Sequence, residues 1–115
     1  MSRRMKSDLK KKDWSQHPRR ALTATEIVSG LAKSDGWKLH GDGPDLAIEK
    51  SFAFANYHET ISFVNAVAFI ANAQDHHPEL AVFYNRCVVR FNTHDVTGVS
   101  QTDFECAALV DGLLV

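Results

Sequence analysis

The sequence has few cysteines and no long apolar run, two features that would indicate particular classes of protein. Its 115 residues include two cysteines, Cys87 and Cys106, which form no Cys-x-x-Cys pair. This disfavours a disulfide scaffold or zinc ribbon, so we expect reduced thiols in a cytoplasmic protein. The longest apolar run falls far short of the roughly 20 residues that cross a bilayer, and no secretory h-region follows the charged N-terminus. We therefore expect neither export nor membrane insertion.

Charge is unevenly distributed, although the formal net charge is only −1. Residues 1–20 contain eight lysines and arginines against two aspartates, whereas residues 21–115 contain five basic and twelve acidic residues. The first segment also lacks apolar periodicity. We therefore expect a flexible basic N-terminal arm at 1–20 and a single acidic domain at 21–115. The negative charge of the domain disfavours nucleic acid as a partner.

Three segments have helix signatures. Thr23 with Glu26, and Ser100 with Asp103, have the spacing of a capping box. Between them, residues 57–74 contain neither glycine nor proline, and their apolar residues recur at helical spacing. Those residues are Tyr57, Ile61, Val64, Ala68 and Ala71, flanked by Phe63, Val67 and Ile70. This arc is wider than one sheet needs, so we expect part of it to face a second subunit.

Two hairpins are predicted between the helices. In the first, Trp37 and Leu39 alternate with polar residues before a glycine-rich turn, and apolar residues alternate again after it, with Lys50 as the one exception on the buried face. The run 80–92 would span about 43 Å as one strand, which is too long for this domain. A turn at Tyr84-Asn85 is therefore expected to split it. In the resulting register, His76 lies opposite Thr93.

The element order α-β-β-α-β-β-α predicts an α+β fold with two layers, in which a four-stranded antiparallel sheet carries helices on one face. Pro78 must end the long helix, which places His76 and His77 at a helix-to-strand junction. The hairpin register brings His94 beside them, with Asp103 at the start of the next helix. Imidazoles titrate near neutral pH, so this group suits proton transfer.

Purely structural roles for these four residues also stay open. Asp103 could serve only as a capping residue, and the histidines could be polar groups that end a helix or a strand. A three-histidine zinc site is the main chemical alternative. Adjacent residues in extended backbone point to opposite sides, so His76 and His77 are poorly placed to bind one ion, and no metal is expected.

The spaced motif Asp75-His76-His77-Pro78-Glu79-Leu80, Tyr84-Asn85 and Thr93 to Asp103 resembles the pterin-4a-carbinolamine dehydratases. The resemblance extends over roughly residues 21–112 and includes Gly36-Trp37. It implies removal of water from 4a-hydroxytetrahydrobiopterin to give quinonoid dihydrobiopterin, during tetrahydrobiopterin recycling for aromatic amino acid hydroxylation beside a phenylalanine hydroxylase. It also implies a cytoplasmic homodimer or homotetramer that uses neither metal nor organic cofactor.

The resemblance also implies roles for individual residues. It makes His76, His77 and His94 the acid and base groups and Asp103 their supporting carboxylate. The implied pterin contacts are His76, His77, Pro78, Glu79, Tyr84, Thr93 and His94, with Asn72 and Asp75 in support. We expect His76 to protonate the leaving hydroxyl, while His77 and His94 hold the ring and accept the proton.

Position 72, one helical turn before His76, departs from the family pattern. The family often has glutamate or another ionisable residue there, whereas Asn72 can orient the imidazole but supplies no charge. This departure leaves an alternative open: a non-catalytic pterin-binding or dimerisation-cofactor protein that acts through its long helix.

Overall fold

The computed structural model describes residues 11–16 and 18–114 and has the predicted α+β architecture. Its helices are α1 (Ala24–Ala32), α2 (Tyr57–Gln74) and α3 (Gln101–Asp111), and its strands are β1 (Lys38–His40), β2 (Ala47–Ala53), β3 (Glu79–Val82) and β4 (Arg86–Phe91). The predicted order α-β-β-α-β-β-α is confirmed. No helix in the described ranges is long and apolar enough to span a membrane.

The sheet is antiparallel throughout, with the strand order β1-β2-β4-β3. Leu80 pairs with Val89 in the β3–β4 hairpin, and the Phe83 amide donates to the Arg86 carbonyl at 2.9 Å. This is the register that a turn at Tyr84-Asn85 predicts. The turn therefore determines which residues follow the sheet at its far end, where the histidines lie.

Side-chain caps fix where the helices start. Thr23 Oγ1 accepts from the Glu26 amide at 3.2 Å, and a Glu26 carboxylate oxygen accepts from the Thr23 amide at 2.9 Å. The predicted capping box of α1 is thus present. Helix α2 ends at Gln74, and Asp75, in a left-handed conformation (φ 49°), turns the chain sharply. The next residue, His76, is directed back into the protein by this turn.

Only part of the apolar series that the sequence predicts on α2 is buried. Phe63, Val67 and Ala71 are buried, whereas Tyr57 and Ala68 are exposed. The buried stripe also includes Thr60, whose hydroxyl lies 2.9 Å from the Asn56 carbonyl and 3.0 Å from the Tyr84 carbonyl. A threonine can take this core position because its single hydroxyl proton has a backbone carbonyl acceptor within reach.

Lys50, the exception in the alternation of β2, has its charge neutralised at the edge of the core. Its ammonium donates to Asp111 Oδ1 at 2.9 Å and to the Asp35 carbonyl at 3.0 Å. The other Asp111 oxygen accepts from Trp37 Nε1 at 2.9 Å. The residue before β1, the middle of β2 and the end of α3 are therefore joined by one carboxylate.

Part of the basic N-terminal segment contacts the domain. The Lys12 amide donates to the Ala73 carbonyl at 2.9 Å, and Trp14 Nε1 donates to the Gln74 carbonyl at 2.7 Å. These carbonyls belong to the last turn of α2, which has no intrahelical donors for them. Residues 1–10 and 17 of the expected arm lie outside the described residues.

Candidate functional site

The central feature of the site is a buried pair formed by His76 and Asp103. His76 Nε2 lies 2.6 Å from Asp103 Oδ1, and the two side chains are 6% and 0% exposed. His76 follows the left-handed end of α2, while Asp103 lies in the first turn of α3. The fold thus brings together an imidazole and a carboxylate that are 27 residues apart in sequence.

The second oxygen of Asp103 holds the carboxylate in place. Oδ2 accepts from Thr93 Oγ1 at 2.7 Å and from the Ser100 amide at 2.9 Å. Thr93 Oγ1 is also 2.5 Å from Ser100 Oγ. Asp103 is consequently both the capping residue of α3 and the partner of His76.

The outer edge of the His76 ring is covered by the N-terminal segment. Arg19 Nη1 lies 3.3 Å from His76 Nδ1, and Arg19 Nη2 lies 2.5 Å from Asp95 Oδ2. The Arg19 guanidinium lies 4.8 Å from the centroid of the Trp14 ring. Nothing in the sequence indicated Arg19 as a site residue, because it lies in a segment without periodicity or motif.

These contacts fit one tautomer of His76. A guanidinium has only donors, so a hydrogen bond from Arg19 to Nδ1 requires the lone pair on that nitrogen. Nε2 then carries the proton and donates it to Asp103. In this tautomer the ring is uncharged. The His76 ring also stacks in parallel on Phe91, with the centroids 5.9 Å apart.

The other two predicted histidines are in a different environment. His77 and His94 are exposed, and within the described part of the chain their side chains form no hydrogen bond or ion pair. His77 follows His76 directly, and His94 follows Thr93, the residue that bonds to Asp103. The site thus combines one buried, fixed imidazole with two imidazoles whose rings are open to solvent.

Three further predicted residues, Glu79, Tyr84 and Asp75, have contacts of their own. Glu79 pairs with Arg90 at 3.1 Å on the sheet, and exposed Tyr84 stacks on Tyr57 with 6.4 Å between centroids. Asp75 lies 3.7 Å from Lys11 Nζ.

Asn72 contributes to the turn after α2 through its backbone. Its carbonyl accepts from the Asp75 amide at 3.2 Å. The ring nitrogens of His76 contact Arg19 and Asp103, and the Asn72 side chain makes no hydrogen bond to them.

The thiols are unsuited to nucleophilic chemistry. Cys87 and Cys106 are free and buried. Burial raises the pKa of the Cys87 thiol. Burial, together with the nearby negative charges of Asp103 and Glu105, raises the pKa of Cys106 to about 12.

No group of three or more His, Cys, Asp or Glu residues in the described ranges has an arrangement that could hold a metal ion.

An open groove of about 960 Å³ lies between α1, α3 and the N-terminal segment. Arg19 and Phe104 are among its lining residues, but His76, His77 and His94 are not. The groove therefore lies beside the histidine site and gives no reason to place proton transfer within it.

Known proteins are similar to this chain in sequence and in fold. The sequence model of the family described as pterin 4 alpha carbinolamine dehydratase matches residues 20–113. A relative in Paracidovorax citrulli, provisionally named a pterin-4-alpha-carbinolamine dehydratase, is 70% identical over 108 residues, which cover 94% of this chain and 93% of the relative. A relative of the same name in Bdellovibrio bacteriovorus is 56% identical over 97 residues, covering 81% and 78% of the two chains. The crystal structure of a transcriptional coactivator/pterin dehydratase from Brucella melitensis is 31% identical, with a TM-score of 0.77, and covers 84% of this chain and 100% of that one.

Proposed function

Because the chain belongs to the pterin-4a-carbinolamine dehydratase family, we propose that it catalyses the loss of water from 4a-hydroxytetrahydrobiopterin. The observation that carries the proposal is the buried His76–Asp103 pair, with Nε2 and Oδ1 2.6 Å apart. A carboxylate that holds one ring nitrogen leaves the other nitrogen oriented for proton transfer. His77 and His94, both exposed, supply a second proton-transfer group.

The reaction requires one proton to be given and one to be taken. The 4a-hydroxyl leaves as water when it is protonated, the bond from C4a to oxygen breaks, and the N5 lone pair forms a double bond to C4a. Loss of the N5 proton then gives quinonoid dihydrobiopterin. One acid and one base are sufficient, and no electrons are transferred to or from the protein.

We assign the base role to His76 and the acid role to His77 or His94. The neutral His76 tautomer has its lone pair on Nδ1, so this nitrogen can accept the N5 proton while Nε2 remains on Asp103. Water solvates the charged form of an exposed imidazole, which suits His77 and His94 to donating a proton to the hydroxyl. This assignment reverses the acid role that the sequence favoured for His76.

The proposed activity has a place in pterin recycling. Aromatic amino acid hydroxylases release the carbinolamine, so a phenylalanine hydroxylase in the same compartment would supply the substrate. The two free thiols, Cys87 and Cys106, favour the cytoplasm as that compartment. The reaction as written needs neither metal nor organic cofactor.

The test is a stopped-flow measurement of carbinolamine loss with wild-type protein, His76→Ala and His94→Ala. We expect the wild-type protein to accelerate the loss and the His76 variant to be slower by about 100-fold, since removing a positioned acid or base has effects of that size. His58→Ala is the matched control, because His58 is also exposed but lies at the opposite end of α2 from His76. No acceleration by the wild-type protein, or wild-type rates in both site variants, would refute the proposal.

A second candidate role is protein binding through the exposed side of α2. Phe69 is 65% exposed and Tyr57 is 52% exposed, which is unusual for aromatic residues on a helix that also packs on a sheet. We propose that a second copy of this chain covers Phe69, giving a homodimer or homotetramer. Sedimentation velocity of Phe69→Glu against wild type tests this, with dissociation to monomers as the expected result.

The same variant separates catalysis from a dimerisation-cofactor role. If wild-type protein fails to accelerate dehydration but captures a defined partner, and Phe69→Glu loses that capture, the binding role replaces the enzymatic one. If Phe69→Glu remains assembled, the proposed α2 contact is wrong.

A further inference from the structure

The N-terminal segment contributes a side chain to the histidine site, and it does so through the last turn of α2. Lys12 and Trp14 donate to the carbonyls of Ala73 and Gln74. Trp14 in turn provides the ring on which the Arg19 guanidinium lies, 4.8 Å from the centroid. These contacts fix the path of the segment next to His76.

Arg19 is held from a second direction by Asp95. The Asp95 carboxylate is 73% exposed, but the Arg19 side chain is only 15% exposed. A surface ion pair alone would contribute little. Here the guanidinium is also packed against Trp14 and bonded to His76, so its orientation is set by three partners.

The position of Arg19 bears on the protonation of His76, the proposed base. Asp103 beside Nε2 favours a positively charged imidazole, whereas the positive guanidinium 3.3 Å from Nδ1 disfavours it. A proton on Nδ1 would also eliminate the acceptor of the Arg19 hydrogen bond. The hydrogen bond from Arg19 is therefore compatible only with a lone pair on Nδ1.

We propose that Arg19 is a positioning residue of the site: it holds His76 in the neutral form with the lone pair on Nδ1, until the N5–H of the carbinolamine replaces the guanidinium as donor to that nitrogen. Both groups are N–H donors to the same lone pair, so the exchange leaves the hydrogen bond between His76 and Asp103 intact. The guanidinium stays paired with Asp95 while the substrate is bound. The catalytic part of this inference rests on the proposed function, but the effect on the His76 tautomer does not.

Loss of Arg19 has a distinctive kinetic consequence. Without the guanidinium, Asp103 favours the charged imidazole, and a smaller fraction of the protein has a base ready for N5. The turnover number of Arg19→Ala is expected to fall by about tenfold, as part of the contribution of a general base. KM is expected to stay the same or fall, since a competitor for Nδ1 has been removed. An arginine that only bound substrate would give the opposite split, with raised KM and unchanged kcat.

The first experiment is ¹⁵N NMR of the histidine side chains in the full-length protein without substrate. Wild-type His76 should show an unprotonated Nδ1 and a protonated Nε2 at neutral pH, and Arg19→Ala should shift both signals towards the imidazolium. Arg20→Ala is the matched control, since the neighbouring Arg20 is 66% exposed and pairs with Glu26 on the outside of the domain. It should leave both His76 signals and kcat unchanged.

Asp95→Asn provides a second, milder variant. It keeps Arg19 but removes the charge that anchors it, so the His76 signals should move in the same direction by a smaller amount. Unchanged His76 signals in Arg19→Ala, or a rise in KM without a fall in kcat, would overturn the inference. If the wild-type protein has no dehydratase activity but the signals shift as expected, the proposed function fails and the positioning of His76 by Arg19 stands.

Discussion

Asp103 binds His76 and Thr93 through different oxygens of one fully buried carboxylate, at 2.6 and 2.7 Å. The oxygen on Thr93 also accepts from the Ser100 amide. The same side chain therefore starts a helix and orients the proposed base. Changes to it should affect stability and catalysis together.

Replacing Asp103 with asparagine tests this double role. The amide can present its oxygen to only one side, so either His76 or the Ser100 amide faces an NH₂ group. We expect a loss of about 1–3 kcal/mol in the free energy of unfolding, the cost of an unsatisfied buried polar group. Urea unfolding checks the stability, and the rate of carbinolamine loss should fall in parallel. Wild-type values in both measurements would contradict the assigned role of Asp103.

The two thiols should be unreactive in the folded protein. The pKa of Cys106 is raised to about 12, mainly by burial, and burial also raises that of Cys87. Because the thiolate is the reactive form, iodoacetamide at mildly alkaline pH should modify neither residue within a time that modifies both after denaturation. Mass spectrometry counts the adducts. Fast labelling of Cys106 in folded protein would show that the α3 packing opens readily.

Gly30 is expected to resist replacement by alanine. A Cβ at this position would lie 2.6 Å from the Phe104 ring, which is buried and cannot easily withdraw. Alanine gains about 1 kcal/mol in helix propensity, but the overlap costs about 1–3 kcal/mol. We expect a net loss of stability in thermal unfolding.

Gly112→Ala is the control for that experiment. A Cβ there meets no atom within 4 Å, and the backbone is in the right-handed helical region. Its stability should be unchanged or slightly higher. Equal effects of the two substitutions would mean that the contact with Phe104 is unimportant.

Acidification should remove the contribution of the Arg20–Glu26 pair to the stability of the folded protein. The Arg20 guanidinium, and then the Thr23 amide, lower the pKa of Glu26 from 4.5 to about 2. A carboxyl with a lowered native pKa stabilises the folded state above its unfolded pKa, and this contribution disappears as pH falls from about 4.5 towards 2. The stability difference between wild type and Glu26→Gln should therefore be greatest near neutral pH and shrink over that range. A stability difference between the two proteins that does not change with pH would contradict the lowered pKa of Glu26.

Much of the fold was predictable because local signals set it. The caps at Thr23 and Ser100 start two helices, Pro78 limits the long one, and Asn85 splits the last two strands, which also fixes their register. The buried face of α2 was less predictable. Hydropathy excluded Thr60, whereas the structure buries it with two backbone carbonyls in reach of its one hydroxyl proton.

One contact of the candidate site was also predictable. The spacing from His76 to Asp103 indicated a shared location, and the structure joins these two residues. The contact of Arg19 with His76 spans 57 residues and involves a segment without any helix or strand pattern. Such a contact depends on tertiary packing alone, so no local property of the sequence could reveal it.

The attachment of Lys12 and Trp14 to the end of α2 bears on where this protein can be cut. The match to the family begins at residue 20, one position after Arg19. A shortened protein that starts at that boundary would keep α1, α2, α3 and all four strands of the sheet. Such a protein would nevertheless lack the guanidinium beside His76, so the boundary of the family match omits a contact to the proposed base.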